Sequence, residues 1–399
     1  MLNKKDTKLI LLTNFYPFGK GETFLETEIQ FLSASFKEVL IVSSSLSSEK
    51  TRETAENVKC QRFNPRNSKR KYIELLNWYF LKEFIINMFS NPLKNKIAIN
   101  SWLNACNLAS VIEPKINSNT ILYSYWLDDS ALALSILKYN NEKLKVVSRA
   151  HRWDIYEEEH LYEYLPFRKF LFKQLNSIYS ISLDGISYLT AKGANNIELS
   201  RLGTIQTKTP EVHSQTDTLN VLSISYLIKR KRISLLADAI KLLDTEGKKI
   251  TWTHFGDGPE MEELKSSISD IKYIPIDFKG FVSNTGLLEW LSENAATSLL
   301  VNLSESEGIP VSMMEAMSFG IPCMGTDVGG VSEIIQDEKN GYLLPATPSA
   351  SIVADKLASY YELKKTEKIE LKQNAIDSWR KHYNANKNFT DFCEKLLNL

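Results

Sequence analysis

Short apolar runs recur along this chain at the spacing of a parallel sheet, and they come in two sets. Residues 8–13, 39–42, 120–125, 145–148 and 177–181 make the first, and 219–225, 250–255, 274–278, 297–303 and 321–325 the second. Helical patterns separate the runs within each set, which predicts parallel strands joined by crossover helices and an α/β fold in two halves. Between the sets, residues 204–218 are polar, contain Pro210 and carry almost no large apolar side chain, as expected of an interdomain linker. At 399 residues and 43% hydrophobic, the chain can build two cores of ordinary size.

Charge and cysteines narrow the class. The 48 basic and 48 acidic residues cancel, so no global field draws nucleic acid, and the basic run 229–232 lacks an aromatic ladder beside it. Cys60, Cys106, Cys323 and Cys393 have neither metal nor disulfide spacing, so a reducing cytoplasm without structural zinc is expected. The start Met-Leu-Asn-Lys-Lys-Asp runs directly into an apolar strand instead of a secretory region. No uninterrupted apolar stretch of about 18 residues predicts a membrane span.

Chemistry concentrates in residues 304–335. Pro310 suits a first helical position, good helix formers follow from Ser312 to Phe319, and Gly320 ends the run. The amides and positive dipole end of such a helix favour a phosphate. Glu307 and Glu315 stand eight residues apart, roughly 12 Å at about 1.5 Å rise per residue. That separation is too wide for the paired carboxylates of a glycosidase, roughly 5 to 10 Å apart. It suits two acceptors holding the hydroxyl-bearing ends of a ligand with a diphosphate between them, the shape of a nucleotide sugar.

Glu307-Gly308-Ile309-Pro310, Glu315-Ala316-Met317, Gly320-Ile321-Pro322, Gly329-Gly330 and Glu333-Ile334-Ile335 together resemble the donor-site signature of the retaining family 4 glycosyltransferases (glycosyltransferase group 1 type). The resemblance implies the GT-B fold: two Rossmann-like α/β domains facing across a cleft, with the C-terminal helix crossing back to the first. The expected division is 1–205 for an acceptor domain, with 376–399 packing on it, and 206–375 for the donor domain. Residues 374–399, with Trp379, Tyr383, Phe389 and Phe392, are the returning helical segment.

Further segments are similar to the family in the expected order. The stretch 13–24, with Gly19 and Gly21, looks like its first strand and glycine loop, implying backbone approach to donor phosphates or acceptor; a plain turn capped by Thr23 is the simpler account. Residues 149–154 resemble the loop whose histidine, here His151, faces the donor sugar in related enzymes. After the strand at 219–225 the family carries glycine-arginine, with a lysine five residues beyond the arginine. Lys231 matches the lysine, whereas Ser225 and Tyr226 replace the pair, so Lys229 or Arg230 is left to supply the second cation. Phe255-Gly256-Asp257-Gly258-Pro259 resembles a strand-end glycine motif, and Gly280-Phe281 lies in the segment that cradles the base.

The implied roles follow. Glu307 accepts from donor-sugar hydroxyls and Glu315 from the ribose, while Lys231 with the amides of Val311 and Ser312 takes the charge of the leaving diphosphate. Gly308 and Ile309 belong to the same turn. No metal ligand is expected, because Asp128-Asp129 reads as a helix cap. No cofactor is implied beyond the nucleotide-sugar co-substrate, with a UDP-sugar as the expected donor although the base-cradling segment does not disclose the base. The acceptor is expected to be a glycan, polyprenyl-linked, in surface polysaccharide assembly; a soluble or protein acceptor and a non-catalytic carbohydrate-binding partner stay open. Residues 67–90 mix Lys69, Arg70 and Lys71 with Trp78, Tyr79, Phe80, Phe84, Ile85, Ile86 and Phe89, which suits either peripheral contact with an anionic inner membrane face or a helix packed into its domain.

Overall fold

The structure is a computed structural model describing residues 6–19, 21–64, 72–208, 218–244 and 247–399. Most of the expected linker, and Lys69, Arg70 and Lys71, lie outside the described residues. The chain divides into two compact units, residues 1–201 with 387–399, and residues 202–386.

The first unit holds seven strands: β1 (Lys8–Thr13), β2 (Glu38–Ser43), β3 (Val58–Arg62), β4 (Thr120–Ser124), β5 (Lys145–Ala150), β6 (Ser177–Ser180) and β7 (Ile197–Leu199). They pair in parallel in the order β3-β2-β1-β4-β5-β6-β7. Successive side chains of β1 feed opposite faces. Ile10 and Leu12 join the core containing Trp102, whereas Leu9 and Leu11 join that containing Phe392 and Leu396. Both faces are therefore covered, which is why the run reads as continuously apolar.

The second unit repeats the plan with β8 (Leu219–Ile224), β9 (Ile250–Phe255), β10 (Ile276–Gly280), β11 (Ser298–Asn302), β12 (Cys323–Thr326) and β13 (Gly341–Leu344), ordered β10-β9-β8-β11-β12-β13. Both are doubly wound parallel sheets. In each, strand order reverses beside the first strand, and loops leaving the carboxyl ends there form the place where such sheets hold ligands.

The single returning segment expected over 374–399 is two helices, Lys365–His382 and Ala385–Leu397. Asn384 explains the break: its side chain accepts from the Asn386 amide at 2.9 Å, the arrangement that starts a helix. Residues 376–386 stay with the second unit, where the Trp379 indole donates to Thr204. Phe392, Cys393, Leu396 and Leu397 enter the first unit's core. Among the described residues no helix is long and apolar enough to cross a membrane.

Candidate functional site

At the reversal point of the second sheet, the loop after β8 and the loop after β11 lie side by side. Lys229–Lys231 forms a 3-10 turn and Arg232 follows with φ 48°. The Glu305 amide donates to the Arg230 carbonyl at 2.9 Å. The Arg232 guanidinium donates to the carbonyls of Leu303, Ser304 and Ala346. These bonds fix one loop against the other, so the side chains they carry meet in a set geometry.

Lys231 and Glu307 form an ion pair. The same Glu307 oxygen accepts from the Ser304 hydroxyl at 2.6 Å and the Asn302 amide at 3.3 Å. Burial alone would raise this carboxyl, but the Lys231 ammonium and the hydrogen bonds from Lys231, Ser304 and Asn302 outweigh it and hold the pKa below the ordinary value. Glu307 is therefore a carboxylate, an acceptor for hydroxyls.

Helix Val311–Ser318 begins immediately beyond, with Pro310 at the cap position and no side chain capping it. Pro310 is thus one residue outside the helix rather than its first member. Half of the Glu307 to Glu315 interval is loop, so the 12 Å inferred from helical rise does not apply. Gly329 makes the loop's close packing possible: its φ is 52°, and a Cβ there would sit 1.9 Å from the Glu307 carbonyl oxygen.

Glu315 is buried in the same helix and accepts from the Asn284 amide at 2.6 Å. Asn284 opens helix Asn284–Asn294, four residues after Gly280, the last residue of β10. Phe281 at this turn is 73% exposed, and Gly280 has φ 64°. The segment expected to cradle a base and the carboxylate expected to hold a ribose are therefore linked through Asn284. Burial pushes the Glu315 carboxyl up to about 7, the Asn284 hydrogen bond working against it.

In the first unit the corresponding reversal point is organised by Glu22. Its carboxylate accepts from the amides of Asn14, Phe15 and Tyr16 and from the Trp126 indole. Phe24, Tyr125 and Trp126 surround the His151 ring at centroid distances of 5.8, 4.8 and 4.7 Å. Burial, reinforced by Arg149, keeps the His151 pKa well below the ordinary value, so the ring is neutral. Its Nε2 is buried without a protein partner among the described residues. The backbone of this loop is fixed by Asp154, which accepts from the His151 and Leu127 amides at 2.6 Å each. Gly19 commits its amide to Glu49 and its carbonyl to Thr51 and Arg52, while Gly21 lies under the Phe15 ring. Thr23 does not cap the following helix Leu25–Ser35, which has no side-chain cap; Asp128 does cap Asp129–Asn140 through the Ser130 amide.

Residues 205–378 match the family described as Glycosyl transferases group 1. The match covers less than half of the chain and falls within the second unit. The putative colanic acid biosynthesis glycosyltransferase WcaL of Escherichia coli K12 is 28% identical over 228 residues, covering 55% of this chain and 56% of that protein. The amylovoran biosynthesis glycosyltransferase AmsK of Erwinia amylovora is 29% identical over 141 residues, 34% of each. The WcaL match thus spans about half that protein's length. The crystal structure of Anabaena HepE in complex with UDP superposes with a TM-score of 0.72 at 15% identity, covering 98% of this chain and 100% of that one. TarM superposes at 0.71 and 14%, covering 98% and 99%. At such identities the likeness shows the fold, two Rossmann-like α/β units of the GT-B kind.

Within the second unit the structure brings together Lys231, Arg230, Glu307, Gly308, Ile309, Val311, Ser312 and Glu315, with Gly280 and Phe281 joined through Asn284. His151, Gly19 and Gly21 belong to the first unit. Sequence reasoning missed Asn284, Ser304, Asn302 and Arg232 as members of the site. Arg232 lay in the basic run, yet its inward turn depends on the carbonyls it meets.

Glu315 gives the second unit a pH signature. Its folded pKa of about 7 lies above the ordinary value of 4.5, so between these values the folded protein holds a proton that the unfolded chain has lost. Stability from this group is full below about pH 4.5 and is lost as pH rises toward 7, by on the order of 3 kcal/mol. Glu315→Gln should therefore match the wild type in thermal stability near pH 5 and exceed it near pH 8; parallel pH profiles would contradict the assignment.

Proposed function

We propose that the chain is a retaining, metal-independent glycosyltransferase that moves a sugar from a nucleoside-diphosphate sugar to a hydroxyl of a lipid-linked glycan in surface polysaccharide assembly. The arrangement that carries this is the uncapped helix start at Val311, flanked by the Lys231–Glu307 pair on one side and the Asn284–Glu315 pair on the other. Curated relatives bearing polysaccharide-biosynthesis names support the pathway class.

Glu315 accepts from the ribose hydroxyls and Phe281 offers its exposed ring to the base. Glu307, ionised, accepts from the donor-sugar hydroxyls. Lys231 and the amides of Val311 and Ser312 stabilise charge on the leaving diphosphate. The bond from the anomeric carbon to the phosphate oxygen breaks as the acceptor hydroxyl bonds to the same face of that carbon. The departing phosphate oxygen takes the hydroxyl proton, leaving nucleoside diphosphate and a glycoside of retained configuration. His151, neutral and with Nε2 lacking a partner among the described residues, is a hydrogen-bonding group rather than a charged one. Tyr226, at the position of the family's arginine, is 60% exposed. Arg230 supplies the second cation, since its Nε is buried without a partner among the described residues, whereas Lys229 is exposed to solvent.

The acceptor's lipid is served by helix Trp78–Ser90. Phe80 is buried and Phe84 packs partly on the core, while Trp78, Ile85, Ile86, Met88 and Phe89 are exposed. Between residues 66 and 96 the sequence holds seven basic and two acidic residues. An apolar face beside positive charge suits an anionic bilayer surface.

The test is slow hydrolysis of UDP-, GDP- and ADP-sugars in EDTA. A UDP-sugar should be hydrolysed at a rate that manganese does not raise, with Arg230→Ala slower by at least about 10-fold and Lys229→Ala within about 2-fold. Hydrolysis that needs restored metal, or none with any donor, would contradict the proposal.

A further inference from the structure

Two aromatic side chains stand exposed at the carboxyl edge of the first sheet, Phe15 at 49% and Trp153 at 53%. Phe15 lies two residues past β1 and Trp153 three past β5. One strand, β4, separates β1 from β5, so their ends are about 10 Å apart. Neither ring is left to solvent by a loose loop. The Phe15 amide is held by Glu22, and its ring rests on Gly21, where a Cβ would come within 2.7 Å. Trp153 is backed by the His160 ring at a centroid distance of 4.5 Å, and the imidazole also hydrogen-bonds the Trp153 carbonyl. An Arg152–Glu159 ion pair closes the loop.

The backbone of these two loops is strained. Glu22, Tyr162, Glu163 and Phe167 have φ values of 57°, 60°, 48° and 59°, a region costly for side chains of this kind. Rigid, strained loops presenting large rings are preorganised for contact. The chemistry around Trp153 says with what. Of the five acidic residues between 152 and 164, Asp154 is buried on the loop's own amides, Glu157 pairs with Lys192 and Glu159 with Arg152, which leaves the carboxylates of Glu158 and Glu163 exposed. Their charge repels phosphates and anionic lipid, and it favours a neutral ligand rich in hydroxyl donors.

We propose that Trp153 and Phe15 form the acceptor platform, stacking on the apolar faces of pyranose rings while the exposed carboxylates of Glu158 and Glu163 accept from their hydroxyls. This rests on the glycosyltransferase reading and assigns its acceptor subsite to named residues of the first unit.

The test uses full-length protein with methyl α-D-glucopyranoside, methyl α-D-galactopyranoside and methyl α-D-mannopyranoside, read by saturation-transfer difference NMR. At least one glycoside should receive saturation on its ring protons. Trp153→Ala should lower that signal at least about five-fold, and Trp153→Phe should restore most of it. The UDP-induced thermal shift reports the donor site separately and should be unchanged in both variants; its absence from wild type would count against the donor reading alone. No signal from any glycoside, or a signal indifferent to both Trp153→Ala and Phe15→Ala, would overturn the platform. So would loss of binding to phosphatidylglycerol-containing vesicles in Trp153→Ala with the sugar signal intact, which would make the indole a membrane anchor.

Discussion

Glu28→Ala is expected to lower the stability of the first unit by about 3 to 5 kcal/mol, the range for breaking a buried ion pair from one side. Glu28 and Arg149 are both fully buried and lie 3.0 Å apart. The guanidinium also donates to the Tyr123 hydroxyl at 2.9 Å and the Ser200 carbonyl at 2.8 Å, and stands over the Phe392 ring at 4.2 Å. It therefore joins helix Leu25–Ser35, two strands and the C-terminal helix at one point. Removing the carboxylate leaves a positive charge in an apolar core, with only neutral acceptors around it. Glu28→Met combined with Arg149→Met should recover most of the loss, because well-packed apolar groups avoid the desolvation cost altogether. Urea denaturation followed by tryptophan fluorescence checks both; a loss below about 1 kcal/mol for Glu28→Ala would show that the pair is not held dry. Because Arg149 lies near the end of the strand Lys145–Ala150 and His151 follows that strand directly, the same variant should also disturb the histidine's surroundings.

The contrast between what sequence disclosed and what it hid has a physical origin. Central strands such as Lys8–Thr13 and Leu219–Ile224 are buried on both faces, so their composition alone marks them. The strands Val58–Arg62, Ile197–Leu199 and Gly341–Leu344 went unforeseen. Each lies at a sheet edge with one paired neighbour and is short; Val58–Arg62 carries Lys, Gln and Arg, Ile197–Leu199 carries Glu, and Gly341–Leu344 is four residues opening on a glycine. Glu307 and Glu315 stood out because they lie in spaced runs of glycine and proline whose backbone demands are local, and Lys231 because it matches the lysine position of the resembled family. Asn284, Ser304 and Glu22 did not. Their roles arise from loops that meet only when the sheet forms, and an asparagine at a helix start or a glutamate in a glycine turn carries no mark of its distant partner. The helix at 78–90 shows the same limit: its pattern permitted both burial and exposure, and the fold divides it, with Phe80 inside and Phe89 at 88% exposure.

The central claim is that Glu315 holds the nucleotide and Glu307 the reacting sugar, and one paired measurement separates them. UDP affinity by calorimetry at pH 8, where Glu315 is ionised, should fall roughly 10- to 100-fold in Glu315→Gln, the cost of weakening hydrogen bonds to a charged acceptor. Glu307→Gln should leave UDP affinity within about 3-fold but lower UDP-sugar turnover by roughly 100- to 1,000-fold, as expected for a group whose interaction strengthens in the transition state. UDP that fails to bind the wild type, or the two variants showing the same pattern of affinity and turnover, would contradict the donor-site assignment.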